Sequence, residues 1–194
     1  NAMNEVEVSI AGMNRHIQPE LTAWGWEIVV YLFAGGLVAG LLVLCGIAWR
    51  RAEKDENLPD SLGFWGPVAA PVILGAGLFA LFLDLEYKLH AFRFYTTFQA
   101  GSPMSWGAWI LSLVIPGSAL FAWAAWKRRN GGELPWVRAI ATANIVVGVA
   151  LGIYTGILLG AMSARPVWNS PVLGPLFLVS GLSGAAALLY VMER

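Results

Sequence analysis

The chain has 194 residues, 58% hydrophobic and only 12% charged, with a mean hydropathy of +0.65; soluble domains carry about a quarter charged residues, so the composition is that of a membrane protein of one domain. Twelve Lys and Arg balance twelve Asp and Glu, and without a long basic run a nucleic-acid partner is excluded. A single cysteine, Cys45, and two histidines exclude an internal disulfide, a structural zinc and an iron–sulfur cluster held by this protein alone.

The first 25 residues form a polar N-terminal or interfacial segment. Its leading Asn1-Ala2 before Met3 resembles the remnant of a cleaved tag, and nothing in residues 3–23 is apolar enough for a cleavable signal peptide. A spanning helix needs about twenty mostly apolar residues. Five stretches within 26–192 meet that length: Trp26–Trp49, Phe64–Leu83, Trp106–Trp126, Val137–Met162 and Ser170–Met192. The expectation is an all-α integral membrane protein with five transmembrane helices, the first four forming an up-down four-helix bundle. Continuously apolar runs argue against a barrel, whose strands alternate.

In the first span, Gly36 and Gly40 lie four apart, and in the fourth Gly148, Gly152, Gly156 and Gly160 repeat the spacing. Such stripes let helices approach closely and indicate packing. Cys45 reads as a small buried hydrophobe. The ten Trp cluster at the span ends as an aromatic belt. Asn144, inside the fourth span, is expected to bond between helices.

Lys and Arg counts give the orientation. Arg50, Arg51, Lys54, Lys127, Arg128, Arg129, Arg138 and Arg194 fall on one side, against Arg15, Lys88, Arg93 and Arg165 on the other. The richer side is cytoplasmic by the positive-inside rule. That places the N-terminus in the periplasm, the C-terminus in the cytoplasm and the protein in a bacterial inner membrane.

Ionisable groups at spans are costly and mark function. Glu27 opens the first span and shares a helical face with Trp24 and Tyr31. Asp84 closes the second span, and Glu86, Lys88, His90 and Arg93 follow within ten positions. If the helix continues, Asp84 pairs with Lys88 and Glu86 with His90 at i,i+4. One reading is a solvated, amphipathic helix end; the other is a proton-exchanging site at the membrane surface. In the fourth span Tyr154 is an apolar-segment phenol that needs a hydrogen-bond partner, and it shares a face with Arg165 if that helix persists. His16 and His90 both lie outside the spans, so no haem is expected, and no metal ligand set is present.

Several segments together are similar to one family. The first span reads Trp24-Gly-Trp-Glu followed by Tyr-Leu-Phe-Ala-Gly-Gly-Leu-Val-Ala-Gly40. The second ends Leu-Asp84-Leu, the third begins Ser102-Pro-Met-Ser-Trp-Gly-Ala-Trp109, and the last loop reads Arg165-Pro-Val-Trp-Asn-Ser-Pro-Val-Leu-Gly-Pro-Leu-Phe177. In this order they resemble the polysulfide reductase membrane-subunit family, also called NrfD. The resemblance implies a quinone- or quinol-binding anchor, without a redox centre of its own, in a complex of anaerobic respiration. Its implied partners are a four-cluster ferredoxin-like iron–sulfur subunit and a molybdopterin catalytic subunit. It implies menaquinone or ubiquinone as the bound substrate, inside the first four helices near one face. Asp84 matches the acid at the end of helix two and Tyr154 the helix-four tyrosine near the quinone; these two would handle the protons. Arg165, Trp168 and Asn169 match the loop lining the mouth, Glu27 the N-terminal polar contribution. Tyr31, His90 and Arg93 supply further hydrogen-bonding groups at the same end.

Family members have eight or more helices and this sequence has five. The other half would then come from a second copy, giving a homo-oligomer, or from another subunit. Two alternatives stay open: a small transporter or channel working as an oligomer, and a structural anchor with a degenerate quinone pocket. A transporter needs polar groups along a path near the midplane, and the spans carry few beyond Asn144 and Tyr154.

Overall fold

The computed structural model describes residues 26–52, 58–84, 103–132, 134–160 and 170–194. Five long α-helices follow in order: α1 Trp26–Arg51, α2 Gly66–Asp84, α3 Pro103–Arg129, α4 Val137–Gly160 and α5 Leu173–Glu193. A π-helical turn, Ser61–Trp65, leads into α2. All five helices are long and apolar enough to cross a membrane, with α2 counted together with that turn. The expected spans are all found, displaced by a few residues. α1 and α3 continue through their terminal arginines, and α5 starts at Leu173 rather than Ser170.

Helices α1 to α4 pack as a ring, each against its chain neighbour, with α4 returning to α1. This is the expected four-helix bundle. α5 lies outside it, across the seam between α1 and α4. α1 is therefore central, flanked by α2, α4 and α5, and it holds the largest share of the core: Val38, Leu41, Leu42, Cys45 and Trp49 are all at or below 1% exposed.

In a bilayer the drive for helix association is close packing and not water exclusion, so backbone approach decides which faces meet. A Cβ built on Gly40 would strike the carbonyl oxygen of Gly181 and lie 2.6 Å from the Cβ of Ala185 on α5. One built on Gly156 would strike the backbone of Leu173 and Gly174. On Gly148 it would lie 2.9 Å from the Ala39 carbonyl oxygen of α1. The α4 stripe thus serves two neighbours: Gly148 faces α1, while Gly152 and Gly156 face α5. Gly36 and Gly40 of α1 likewise close onto Gly181 of α5. The packing reading of both stripes holds.

Two expectations are corrected. Trp49 is not a belt residue. It is 1% exposed, donates its indole N–H to the Leu62 carbonyl at 3.2 Å, and meets the Phe121 ring edge-on at a centroid distance of 4.9 Å. Its position near the helix end suggested the interface, but α1 is enclosed on three sides, so this end turns inward. Trp26, Trp65, Trp106, Trp109, Trp123, Trp126 and Trp136 are exposed, as a belt requires. Asn144 does not bond between helices. Its amide N–H donates back to Ile140 of its own helix at 2.9 Å, while its buried Oδ1 has no hydrogen-bond partner. α3 presents Gly117 there, 3.5 Å from Oδ1 even if a Cβ were added, and glycine offers no donor side chain.

The α3–α4 connection closes tightly. Gly131 has φ +75°, a left-handed conformation that glycine adopts without a Cβ penalty. Its N–H donates to the Arg128 carbonyl, and that of Gly132 to the Lys127 carbonyl, each at 3.0 Å. These are the paired bonds of a Schellman stop, which satisfy the last carbonyls of α3. The π-helical turn before α2 is tied to the end of α5 by the Ser61 N–H, which donates to the Glu193 carboxylate at 3.0 Å.

Candidate functional site

The end of the bundle formed by the start of α1, the end of α2, the start of α3 and the end of α4 gathers the candidate residues. Tyr31 and Tyr154 are both inside the bundle there, 5% and 6% exposed. At 1.5 Å per residue, Tyr31 lies about 7 Å from the first residue of α1, and Tyr154 about 9 Å from Gly160, the last of α4. Both residues thus lie below the helix ends, within the half of each helix nearer this end of the bundle.

Each tyrosine is seated against a glycine of a neighbouring helix. The phenol of Tyr154 crosses to α3 and covers Gly107; a Cβ there would collide with the Tyr154 hydroxyl and Cζ. Tyr31 backs onto α2 at Gly77, where a Cβ would lie 3.7 Å from the Tyr31 Cα and 2.8 Å from the Cβ of Ala34. Tyr31 also anchors a small apolar cluster with Leu32 and Leu159, into which Leu78, Leu81, Leu173 and Phe177 pack. Beside Tyr154, Thr155 turns toward Gly35 of α1 and donates its hydroxyl to the Gly152 carbonyl at 2.8 Å. The α4 backbone therefore directs Tyr154 to α3 and Thr155 to α1.

Glu27, in the first turn of α1, is half-buried. A carboxylate there also meets the positive end of the α1 dipole. Asp84 is the last residue of α2 and stands at this same end of the bundle. His90, Arg93, Arg165, Trp168 and Asn169, together with Trp24, Glu86 and Lys88, lie outside the described residues. Of the sequence candidates, the structure thus brings Glu27, Tyr31, Tyr154 and the end of α2 to one end of one bundle. It adds Gly107, which gives room to the Tyr154 phenol, and Gly77, which lets α2 approach the backbone of Tyr31. Gly107 lies inside the segment Ser102–Trp109. Among the described residues no group of three or more His, Cys, Asp or Glu could hold a metal ion.

What the arrangement offers is a phenol in an apolar wall, toward one end of the bundle. That suits a ligand with an apolar ring and polar edge oxygens. A Tyr hydroxyl can donate to such an oxygen, and Leu32, Leu159 and Phe177 form the apolar cluster around Tyr31 at the same end.

Residues 14–194 match the family described as Polysulphide reductase, NrfD. A component of the polysulfide reductase of Wolinella succinogenes is 33% identical over an alignment of 180 residues that covers 86% of the present sequence and 56% of that protein. Protein NrfD of Escherichia coli is 31% identical over an alignment of 193 residues that covers 87% and 59% of the two sequences. A subunit of the tetrathionate reductase of Salmonella typhimurium is 28% identical over 180 residues, or 91% and 51%. The protein spans little more than half the length of these relatives.

Proposed function

The protein belongs to the polysulphide reductase NrfD family of membrane proteins, and from that premise we propose that it binds quinone or quinol as the membrane subunit of an oxidoreductase complex. It would pass electrons between the quinone pool and an iron–sulfur partner of the four-cluster ferredoxin-like kind, itself serving a molybdopterin catalytic subunit. The observation that carries this reading is the buried Tyr154 phenol, held against Gly107 near one end of a bundle whose nearby walls are apolar. The relatives support the setting, since they include one component each of a polysulfide, a tetrathionate and a selenate reductase.

Quinol carries two electrons and two protons, so its oxidation must deliver both at one place. Electrons need a nearby acceptor, which favours a site close to a membrane face. In this reading the Tyr154 hydroxyl donates to a quinone oxygen and fixes the ring at this end of the bundle. Asp84, at the α2 end, exchanges the proton with water; a carboxylate is a competent base where burial and neighbours adjust it. Tyr31 and Glu27 complete the polar lining from α1. The family resemblance assigns Arg165, Trp168 and Asn169 to the loop lining the mouth, and His90 and Arg93 are further hydrogen-bonding groups at the same end. The Lys and Arg distribution supports a periplasmic position for this end, a cytoplasmic C-terminus and an inner-membrane location. Further helices would come from a second copy or another subunit.

The test is titration of the detergent-purified protein with menaquinone and ubiquinone, alongside extraction of co-purifying quinones. Saturable binding is expected, weakened roughly tenfold by Tyr154→Phe, the scale of one buried hydrogen bond, and also weakened by Asp84→Asn. Unchanged binding in both variants sinks the site assignment. No binding in the folded protein, with or without its iron–sulfur partner, sinks the function and leaves a structural anchor.

A further inference from the structure

At the opposite end of the bundle, we propose that the α3–α4 hairpin binds the phosphate headgroup of an anionic phospholipid, with Lys127 and Arg138 as its cationic partners. Charge points to this hairpin and not to its neighbour at the same end. From Lys127 to Arg138 the sequence carries four cations, Lys127, Arg128, Arg129 and Arg138, against one carboxylate, Glu133. From Arg50 to Asp60 three cations, Arg50, Arg51 and Lys54, face four carboxylates, Glu53, Asp55, Glu56 and Asp60. An anion at this end therefore meets net positive charge at α3–α4 only.

Within the hairpin the cations divide. Arg128 lies over the ring of buried Trp49, 5.3 Å from its centroid, and Arg129 over Phe64 at 4.3 Å. Both are drawn toward α1 and the π-helical turn. Lys127 instead lies over Trp123, 5.4 Å from the centroid, and that indole is half exposed on the outer surface. The three cations of α3 have a local reason to be there, since they sit in its last turn, where the helix dipole favours positive charge. Arg138 has none. It occupies the first turn of α4, the positive end of that dipole, and no acidic residue shares that turn. It is also exposed. A bound anion relieves this conflict.

The surroundings identify the anion as a lipid. Trp126 and Trp136, on the two arms of the hairpin, are 58% and 71% exposed. With Trp123 they present indoles at the level where headgroup and acyl chain meet, the usual station of interfacial Trp. Basic surfaces between spans at a membrane face are suited to acidic headgroups. A free phosphate would use the cations but have no use for three exposed indoles.

The experiment is native mass spectrometry of the delipidated protein, titrated separately with phosphatidylglycerol, phosphatidylcholine and inorganic phosphate. Phosphatidylglycerol is expected to bind at least tenfold more tightly than phosphatidylcholine. Each cation near an acidic headgroup is worth about fivefold, so Lys127→Gln with Arg138→Gln should weaken phosphatidylglycerol by about thirtyfold. Arg50→Gln with Arg51→Gln should leave it unchanged, and Lys127→Arg should retain it. Helix content by circular dichroism checks folding; if the double variant does not fold, the two single variants, each expected to lose about fivefold, carry the test. Equal retention of the two lipids, insensitivity of phosphatidylglycerol to the Lys127 and Arg138 variants, or inorganic phosphate occupying the site as tightly as the lipid would overturn the proposal.

Discussion

The Tyr154 phenol occupies the volume that any side chain at Gly107 would need. The pair joins α4 to α3 by shape alone, and it fixes where the hydroxyl sits in the bundle. Gly107→Ala should therefore push the phenol away. Overpacking of this kind costs about 1–3 kcal/mol. Thermal unfolding in detergent should show a lowered midpoint for Gly107→Ala, largely restored when Tyr154→Leu is added. Equal losses with and without Tyr154 would show that the clash lies elsewhere.

Gly40 and Gly75 make a matched contrast within two neighbouring spans. A methyl at Gly40 meets the Gly181 carbonyl and Ala185, whereas nothing lies within 4 Å of one at Gly75. Gly40→Ala should force α5 off α1 and cost about 2 kcal/mol or more, in the range of severe core changes. Gly75→Ala should be neutral or gain about 0.5–1 kcal/mol from reduced backbone freedom. The two midpoints, measured side by side, check the α1–α5 crossing directly.

Asn144 carries a buried acceptor without a donor. Such an atom costs about 1–3 kcal/mol, and replacing the group by an apolar one of similar shape is nearly neutral or stabilising. Asn144→Leu should thus keep or raise the unfolding midpoint. A fall of more than about 2 kcal/mol would mean that a bound water or ligand satisfies Oδ1 in the membrane.

Trp49 combines an indole hydrogen bond to Leu62, an edge contact with Phe121 and the Arg128 stack. Trp49→Phe keeps a ring but leaves the Leu62 carbonyl without that donor, at a cost of about 1–3 kcal/mol. Adding Arg128→Gln should then cost less than it does in the native protein, because the stack is already weakened. Additive losses would show that Arg128 and Trp49 act independently.

How much of this was legible follows from what each feature depends on. The five spans were, because bilayer thickness imposes their length whatever the partners are. The glycine stripes were too, since a repeat every four residues marks one face. What pairs with that face was not: Gly148, Gly152 and Gly156 belong to one stripe but serve α1 and α5, a division set by helix rotation. Trp49 shows the same limit, since its distance from the helix end says interface while its rotation places it in the core. Asn144 was expected to find a donor across the seam, but the facing residue is Gly117. At the candidate site, Tyr31 and Tyr154 could be named from their residue type in an apolar run. Gly107 could not, because its role exists only through the side chain that covers it.

The central position of α1 bears on how the protein is made. α1 is the first of the five spans to be synthesised, yet its partners α4 and α5 are the last. At ~5–20 residues per second, the synthesis of residues 52–193 leaves the glycine face of α1 without its final neighbours for about 7–28 s. Through that interval Gly36 and Gly40 offer lipid or the insertion machinery a surface shaped for another helix. Biogenesis is thus the stage at which this bundle is most open to the wrong partner, and changes to α5 should be felt as failed accumulation in the membrane before they are felt as lost activity.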